Sequence, residues 1–168
     1  PDRGGMGIGI EIYLASGQRW EQMQEKDKAR SEYERAMKLY PQRPEGYAYL
    51  MQLLADQRQW DEAVQICQRM AEQPSLAYNA YISLGNLLVG KNAYEDAEKA
   101  FRRAIELNPE ASDAYEQLGQ LLINQERPND AALVYQQMAK QPKLAYKAYI
   151  LLGDLWASYE KYHDAENA

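Results

Sequence analysis

The sequence predicts an all-α fold, a right-handed superhelix of stacked antiparallel helix pairs, and three observations carry that prediction. Tyr13, Tyr47, Tyr81, Tyr115 and Tyr149 stand 34 residues apart, as do Ala29, Ala63, Ala97, Ala131 and Ala165. A fixed period of this size marks a stacked-repeat architecture, in which each unit buries its apolar face only against its neighbours. Each period also holds two stretches of about 13 residues whose apolar residues recur at three- and four-residue steps, the spacing of one helix face. Helix-breaking residues fall between those stretches, as at Gly90-Lys91-Asn92 and Asn108-Pro109.

The elements follow in order. Residues 1–9, PDRGGMGIG, hold four glycines and little to bury, and read as a flexible lead-in. The glycine cluster lacks the preceding strand and the Gly-Lys-Ser/Thr ending of a phosphate-binding loop. Repeats then run over 10–43, 44–77, 78–111 and 112–145, with a truncated fifth over 146–168. In the third, Tyr81, Leu84 and Leu88 make the stripe of the first helix, and Ala97, Phe101 and Ala104 that of the second. Ser75 and Ser112 are expected to cap the helices that follow them. Pro128 is expected to open its helix as the first residue. His163 is expected at an exposed helix start in the fifth repeat.

Repeat three, YNAYISLGNLLVGKNAYEDAEKAFRRAIELNPEA, resembles a tetratricopeptide repeat: Tyr81, Leu84, Gly85, Leu88, Ala97, Phe101, Ala104 and Pro109 occupy the places of that family's signature. Repeat four repeats the pattern with Tyr115, Leu118, Gly119, Leu122, Ala131 and Tyr135. The resemblance covers residues 10–168. The small residues belong where helices cross closely, and the aromatics are expected to fill the wedge between one pair and the next. Departures occur as well. Met51 stands for the glycine in repeat two, Cys67 for its aromatic, Met70 and Met138 for a small residue, and Ser16 for a leucine in repeat one, where looser packing is expected.

A second period lies above the first. QRMAEQPSLAYNAYISLG (68–85) returns as QQMAKQPKLAYKAYILLG (136–153), which implies duplication of a two-repeat unit and two alternating kinds of interface. Repeat five stops short of its second helix. Solenoid ends need polar caps, so either the parent protein continues, the favoured reading, or the uncapped C-terminal repeat self-associates.

Composition narrows the function. Net charge is −6, with the acidic excess lying almost wholly beyond residue 43, which disfavours nucleic acid and anionic membrane surfaces as partners. No apolar run approaches the ~20 residues needed to span a bilayer, so no direct membrane insertion is expected. One cysteine and one histidine offer neither a disulfide nor a metal site. Cys67 sits on an inward helix face and reads as a small buried hydrophobe; Glu95, Asp96, Glu98 and Glu106 read as a solvated outer face. Neither enzyme activity nor a cofactor is expected. The residues leave the compartment open, cytoplasmic or periplasmic.

The resemblance implies a non-catalytic scaffold that binds a peptide or partner protein in a concave groove lined by the first helices of successive repeats. Its alternative is a repeat segment of a larger enzyme or secretion assembly, positioning a catalytic or membrane domain outside these residues. Carried onto this chain, the family's ninth groove place gives Gln18, Gln52, Asn86, Gln120 and Asp154, a mostly amide ladder able to pair with peptide backbone. Apolar companions are Ile82, Val89, Ile123 and Ile150. Tyr49 is a candidate contact anchor. Family members that clamp the acidic carboxyl tails of chaperones use a set of Lys, Asn and Arg of which only Asn86 and Lys147 find a match, so no such activity is expected.

Overall fold

The computed structural model describes the backbone of residues 8–166 and the side chains of residues 9–158. Among the described residues it is all helix and turn. The helices are α1 (Ile8–Gln22), α2 (Lys26–Leu39), α3 (Pro44–Asp56), α4 (Trp60–Ala71), α5 (Ala77–Gly90), α6 (Tyr94–Leu107), α7 (Asp113–Asn124), α8 (Pro128–Ala139) and α9 (Ala145–Glu166). Each packs chiefly on the helix before and the helix after it, the nearest-neighbour arrangement of a solenoid. None is long and apolar enough to cross a membrane.

The turn inside each helix pair is the same four times. Gln24, Arg58, Asn92 and Glu126 adopt left-handed backbone, with φ of 63°, 58°, 63° and 59°, and they stand 34 residues apart. The following N–H closes on the carbonyl five residues back, as in Gln59 to Leu54 (2.9 Å) and Arg127 to Leu122 (2.9 Å). This double-bonded C-cap satisfies carbonyls that the helix end leaves without partners. The fifth repeat differs: α9 runs on unbroken through Glu160, where the turn would fall. The expected helix start near His163 is therefore absent, and the side chains of Tyr162, His163 and Ala165 lie outside the described residues.

Several local expectations are revised. The first helix begins at Ile8 rather than after the lead-in, and Gly9 lies so close to the Tyr40 ring that a Cβ would overlap it. Neither serine caps a helix with its side chain: Leu76, not Ser75, holds the N-cap position of α5, and Ser112 holds that of α7 without a side-chain bond. Instead Ser75 donates to Gln42 Oε1 (3.1 Å) and Ser112 accepts from Lys147 Nζ (3.1 Å). Repeat one is not loose at its crossing: Ala29, Tyr33 and Ala36 are wholly buried, and Gly17 lies against the Tyr33 ring. Pro128 does open α8, and Pro44 opens α3.

The signature aromatics sit inside the helix pair rather than only between pairs. A Cβ on Gly17, Gly85 or Gly119 would overlap the ring of Tyr33, Phe101 or Tyr135 respectively, so the missing side chain is what lets the aromatic lie across the crossing. Repeat two exchanges both partners at once. Met51 and Cys67 face each other there with their sulfurs 3.0 Å apart, a longer residue on one helix matched to a shorter one on the other.

The second period is built into the helices. The second helices of repeats one and three span 14 residues and those of two and four span 12. The first helices of the even repeats are deeply buried: Tyr47 and Tyr115 vanish into the core and donate to the carbonyls of Pro41 and Pro109 (3.3 Å each). In α5 only Ala80 and Gly85 are buried. Its other apolar residues are shared out, Leu84 and Leu87 to a core formed with α1–α4, and Tyr78, Tyr81 and Leu88 to a core formed with α6–α9.

Candidate functional site

The face of the first helices that carries the amide ladder opens to solvent. Gln18, Gln52, Asn86, Gln120 and Asp154 are all exposed, because the stripe that buries Leu50, Leu54, Leu118 and Leu122 leaves the ninth place of each repeat on the opposite side of its helix. Two of the amides are held alike, 68 residues apart: Gln52 Nε2 donates to Asp56 Oδ1 and Gln120 Nε2 to Asn124 Oδ1, each at 2.8 Å. Gln18 Nε2 donates to the Tyr49 hydroxyl (2.8 Å). Each bond uses one of an amide's two N–H donors and none of its carbonyl's lone pairs.

Tyr49 is half-buried and stacked on the buried ring of Tyr33, with centroids 5.3 Å apart and planes 22° off parallel. The Tyr33 hydroxyl donates to Glu21 Oε2 (2.7 Å). Burial, then that carboxylate, pushes the Tyr33 phenol far up, so it stays a proton donor. Between repeats one and two the groove wall is thus occupied by the protein's own aromatic pair. Ile82, Val89 and Ile123 are half-buried and Ile150 is exposed, so the apolar companions do reach the surface of α5, α7 and α9.

A hollow opens on this face between two first helices. Between α3 and α5 lies a cleft of about 410 Å³ lined by Ala48, Met51, Gln52, Ala55, Trp60, Ser83, Asn86, Leu87 and Gly90. It joins two ladder amides, Gln52 and Asn86, that the family resemblance implied as groove residues. Its small walls, Ala48, Ala55 and Gly90, and its Trp60 escaped that reading. A Cβ on Gly90 would stand 3.2 Å from the Trp60 ring, so the glycine lets the indole reach across. A signal was available: Ala48 and Ala55 occupy the fifth and twelfth places, and small residues at lining places announce a hollow.

The equivalent interval between α7 and α9 is latched. Glu116 stands where Ala48 stands, Lys147 where Asn79 stands, and Lys147 Nζ lies 2.6 Å from Glu116 Oε1. The lysine that the sequence offered as a groove residue is therefore engaged across the gap.

Two groups set apart from the groove, Cys67 and Glu98, are each fixed by their surroundings. Cys67 is fully buried, and burial pushes its thiol up to about 12, which removes the thiolate at neutral pH. Glu98 departs from the solvated face expected of it: it is mostly covered, and accepts from Arg127 Nη1 across to the next repeat (2.8 Å) and from Arg102. Burial alone would raise its carboxyl, but the two guanidinium hydrogen bonds outweigh it and hold the group below its usual range.

The comparisons with known proteins agree with this architecture. A family model described as tetratricopeptide repeat matches residues 14–77 and again 82–145, two blocks offset by the same 68 residues as the internal duplication. No curated protein sequence matches the chain. Among solved structures, a MamA protein is similar over 96% of this chain and 94% of its own, at 22% identity and a TM-score of 0.58. TTC0263 of Thermus thermophilus, a thermophilic TPR protein, is similar over 90% and 83% at 19% identity and 0.57. MamA from residue 41 onward, of Desulfovibrio magneticus RS-1, is similar over 80% and 76% at 18% identity and 0.57. Identities this low carry the fold alone.

Proposed function

Because the chain belongs to the tetratricopeptide repeat family, a family of protein-interaction scaffolds, we propose that it is a non-catalytic scaffold whose inner helices hold an extended segment of a partner protein. The observation that carries this reading is the open cleft between α3 and α5, set in a line of exposed amides. Amides that already bond within their own helices are pre-positioned, so little side-chain freedom is lost when they turn to a peptide backbone. Gln18, Tyr49, Gln52, Ile82, Asn86, Val89, Gln120, Ile123, Lys147, Ile150 and Asp154 form the groove surface in this proposal. Gln52, Asn86 and the cleft walls form its centre. Gln18, Tyr49 and Lys147, each tied to another repeat, shape its ends. The test is partner capture from lysate by the chain and by a Gln52→Ala/Asn86→Ala variant with unchanged helicity. Capture is expected to fall at least about tenfold, the loss of two backbone-pairing bonds; undiminished capture by the variant contradicts the groove.

A second contact surface is favoured by α9. Tyr146 is 81% and Tyr149 66% exposed, and a Cβ on Gly153 would touch nothing. Their repeat-three counterparts, Tyr78, Tyr81 and Gly85, pack beneath α6 and α7. This face is shaped to receive a further helix pair, from a longer chain or from a second copy. Sedimentation velocity on these 168 residues separates the two, with a dimer that Tyr149→Lys dissociates marking self-association and a monomer ruling it out.

A further inference from the structure

We propose that the segment held in the groove is cationic, with basic residues flanking one uncharged apolar side chain that seats in the α3–α5 cleft. The inference rests on the groove reading above and concerns the chemistry of its occupant. Every residue lining the cleft is uncharged: its floor is Met51, Leu87 and Trp60, and Gln52, Ser83 and Asn86 supply the polar groups. Such a hollow accepts an apolar side chain and leaves the adjoining amides to pair with its main chain. A charged side chain would lose its hydration there without a counter-ion.

The charge on either side of the cleft is of one sign. The lining shows that the fifth, ninth, twelfth and thirteenth places of a repeat share the groove face, and the second place lies one turn earlier on it. At these places stand Glu11 and Glu21 on α1, Glu45 and Asp56 on α3, Asp113 and Glu116 on α7, and Asp154 on α9, against Lys147 alone. Internal ion pairs cancel part of this. Arg43 lies 2.7 Å from Glu45 and 3.7 Å from Glu11, and Lys147 neutralises Glu116. Glu21 and Asp56 are met only by neutral donors, the Tyr33 hydroxyl and the Gln52 amide. Neither Asp113 nor Asp154 forms an ion pair among the described residues. The remaining negative charges lie on both sides of α5, whose own groove face carries none. A concave wall of one sign focuses its field into the groove and draws in an oppositely charged segment.

The two-repeat duplication supplies an internal comparison. Where the second copy places Glu116 and Lys147, the gap is bridged at 2.6 Å. Where the first copy places Ala48 and Asn79, it is open. The α3–α5 cleft therefore offers the apolar anchor a seat free of such a bridge, and acidic residues continue beyond it on both sides.

The experiment uses the whole chain and three amidated nonapeptides followed by fluorescence anisotropy. The first alternates lysine and serine around a central leucine, the second has glutamate for lysine, and the third has serine for the leucine. The first is expected to bind, about tenfold more weakly when salt rises from about 50 to 300 mM. The second is expected not to bind. The third is expected to bind about tenfold more weakly than the first, the worth of one seated apolar side chain. Asp56→Lys/Asp154→Lys is expected to weaken the first peptide at least about tenfold. Glu72→Lys/Glu106→Lys, the same charge change at the C-terminal ends of the second helices of repeats two and three, is expected to leave it within about twofold. Ala48→Trp, which fills the cleft from its rim, is expected to erase the difference between the leucine and serine peptides.

Equal or tighter binding of the glutamate peptide overturns the cationic occupant while leaving the groove in place. Equal weakening by the two charge-reversal pairs also overturns it, by reducing the effect to bulk attraction. A leucine preference that survives Ala48→Trp overturns the seat. Failure of all three peptides at millimolar concentration, with lysate partners still lost in Gln52→Ala/Asn86→Ala, overturns the inference alone; lysate capture that ignores that variant removes the groove as well.

Discussion

Repeats two and three bring their helices together at the same crossing by opposite means. In repeat three the first helix offers Gly85 and the second lays Phe101 over it; in repeat two the first helix offers Met51 and the second retreats to Cys67. Both crossings are buried. The difference teaches that the close-packing glycine is one half of a volume-matched pair, and that the crossing specifies the combined size of two side chains rather than either one. It also explains how an aromatic place can hold a cysteine with no chemical role.

The largest expected effect comes from breaking the repeat-two pair. Met51→Gly leaves a cavity over Cys67 and adds a glycine to a helix interior, and is expected to cost about 4 kcal/mol in urea unfolding followed by circular dichroism. Gly85→Ala pushes a methyl into the Phe101 ring and is expected to cost about 3 kcal/mol by the same measurement. The sharper test is compensation. Adding Cys67→Phe to Met51→Gly rebuilds the repeat-three solution and is expected to return about 2 kcal/mol as a coupling between the two sites. Strict additivity would break the comparison.

How much of this was legible in the sequence follows from the same pair. The 34-residue period, the helix pairs, the burial of Cys67 and the start of α8 at Pro128 all lie within local pattern. The departures at Met51 and Cys67 were each visible, but their mutual fit was not, since 16 residues and a turn separate them. Ser75 and Ser112 carried a good capping residue type, yet cross-repeat partners at Gln42 and Lys147 took their hydroxyls. The amide ladder came from the groove places that the family resemblance implies, whereas the cleft beside Gln52 and Asn86 depends on how α3 and α5 are placed in space. Glu98 looked like its solvated neighbours until Arg127 of the next repeat came to lie over it.

That last contact sharpens a second comparison, between ion pairs within a helix and those that clamp successive repeats. Glu98→Gln is expected to cost about 1 kcal/mol at neutral pH, a figure kept small because Arg127 is 41% exposed. The carboxyl is held below its ordinary value of 4.5. Its contribution is therefore complete above about that pH and disappears as pH falls through the lowered folded value. Parallel unfolding curves of the parent and Glu98→Gln are expected to converge in acid; a gap that persists there would assign the loss to packing instead.

The smallest effect concerns the recurring turn. Asn92 suits left-handed backbone, whereas Glu126 and Arg58 do not. Glu126→Gly is expected to stabilise repeat four by about 0.5 kcal/mol, the relief of that strain less glycine's added chain entropy, and Asn92→Gly to change little. A loss at Glu126 would show that its side chain holds something beyond the turn.

The central claim is that partners meet the inner wall of the stack, with the α3–α5 cleft as its seat. The most direct measurement is an amide correlation spectrum of the labelled chain titrated with the lysine–leucine peptide. Shifts centred on Ala48, Gln52, Ala55, Asn86 and Gly90, fading along α1 and α9, are predicted. Shifts concentrated on the outer faces of α4, α6 and α8, or on the Tyr146–Tyr149 surface alone, would contradict it.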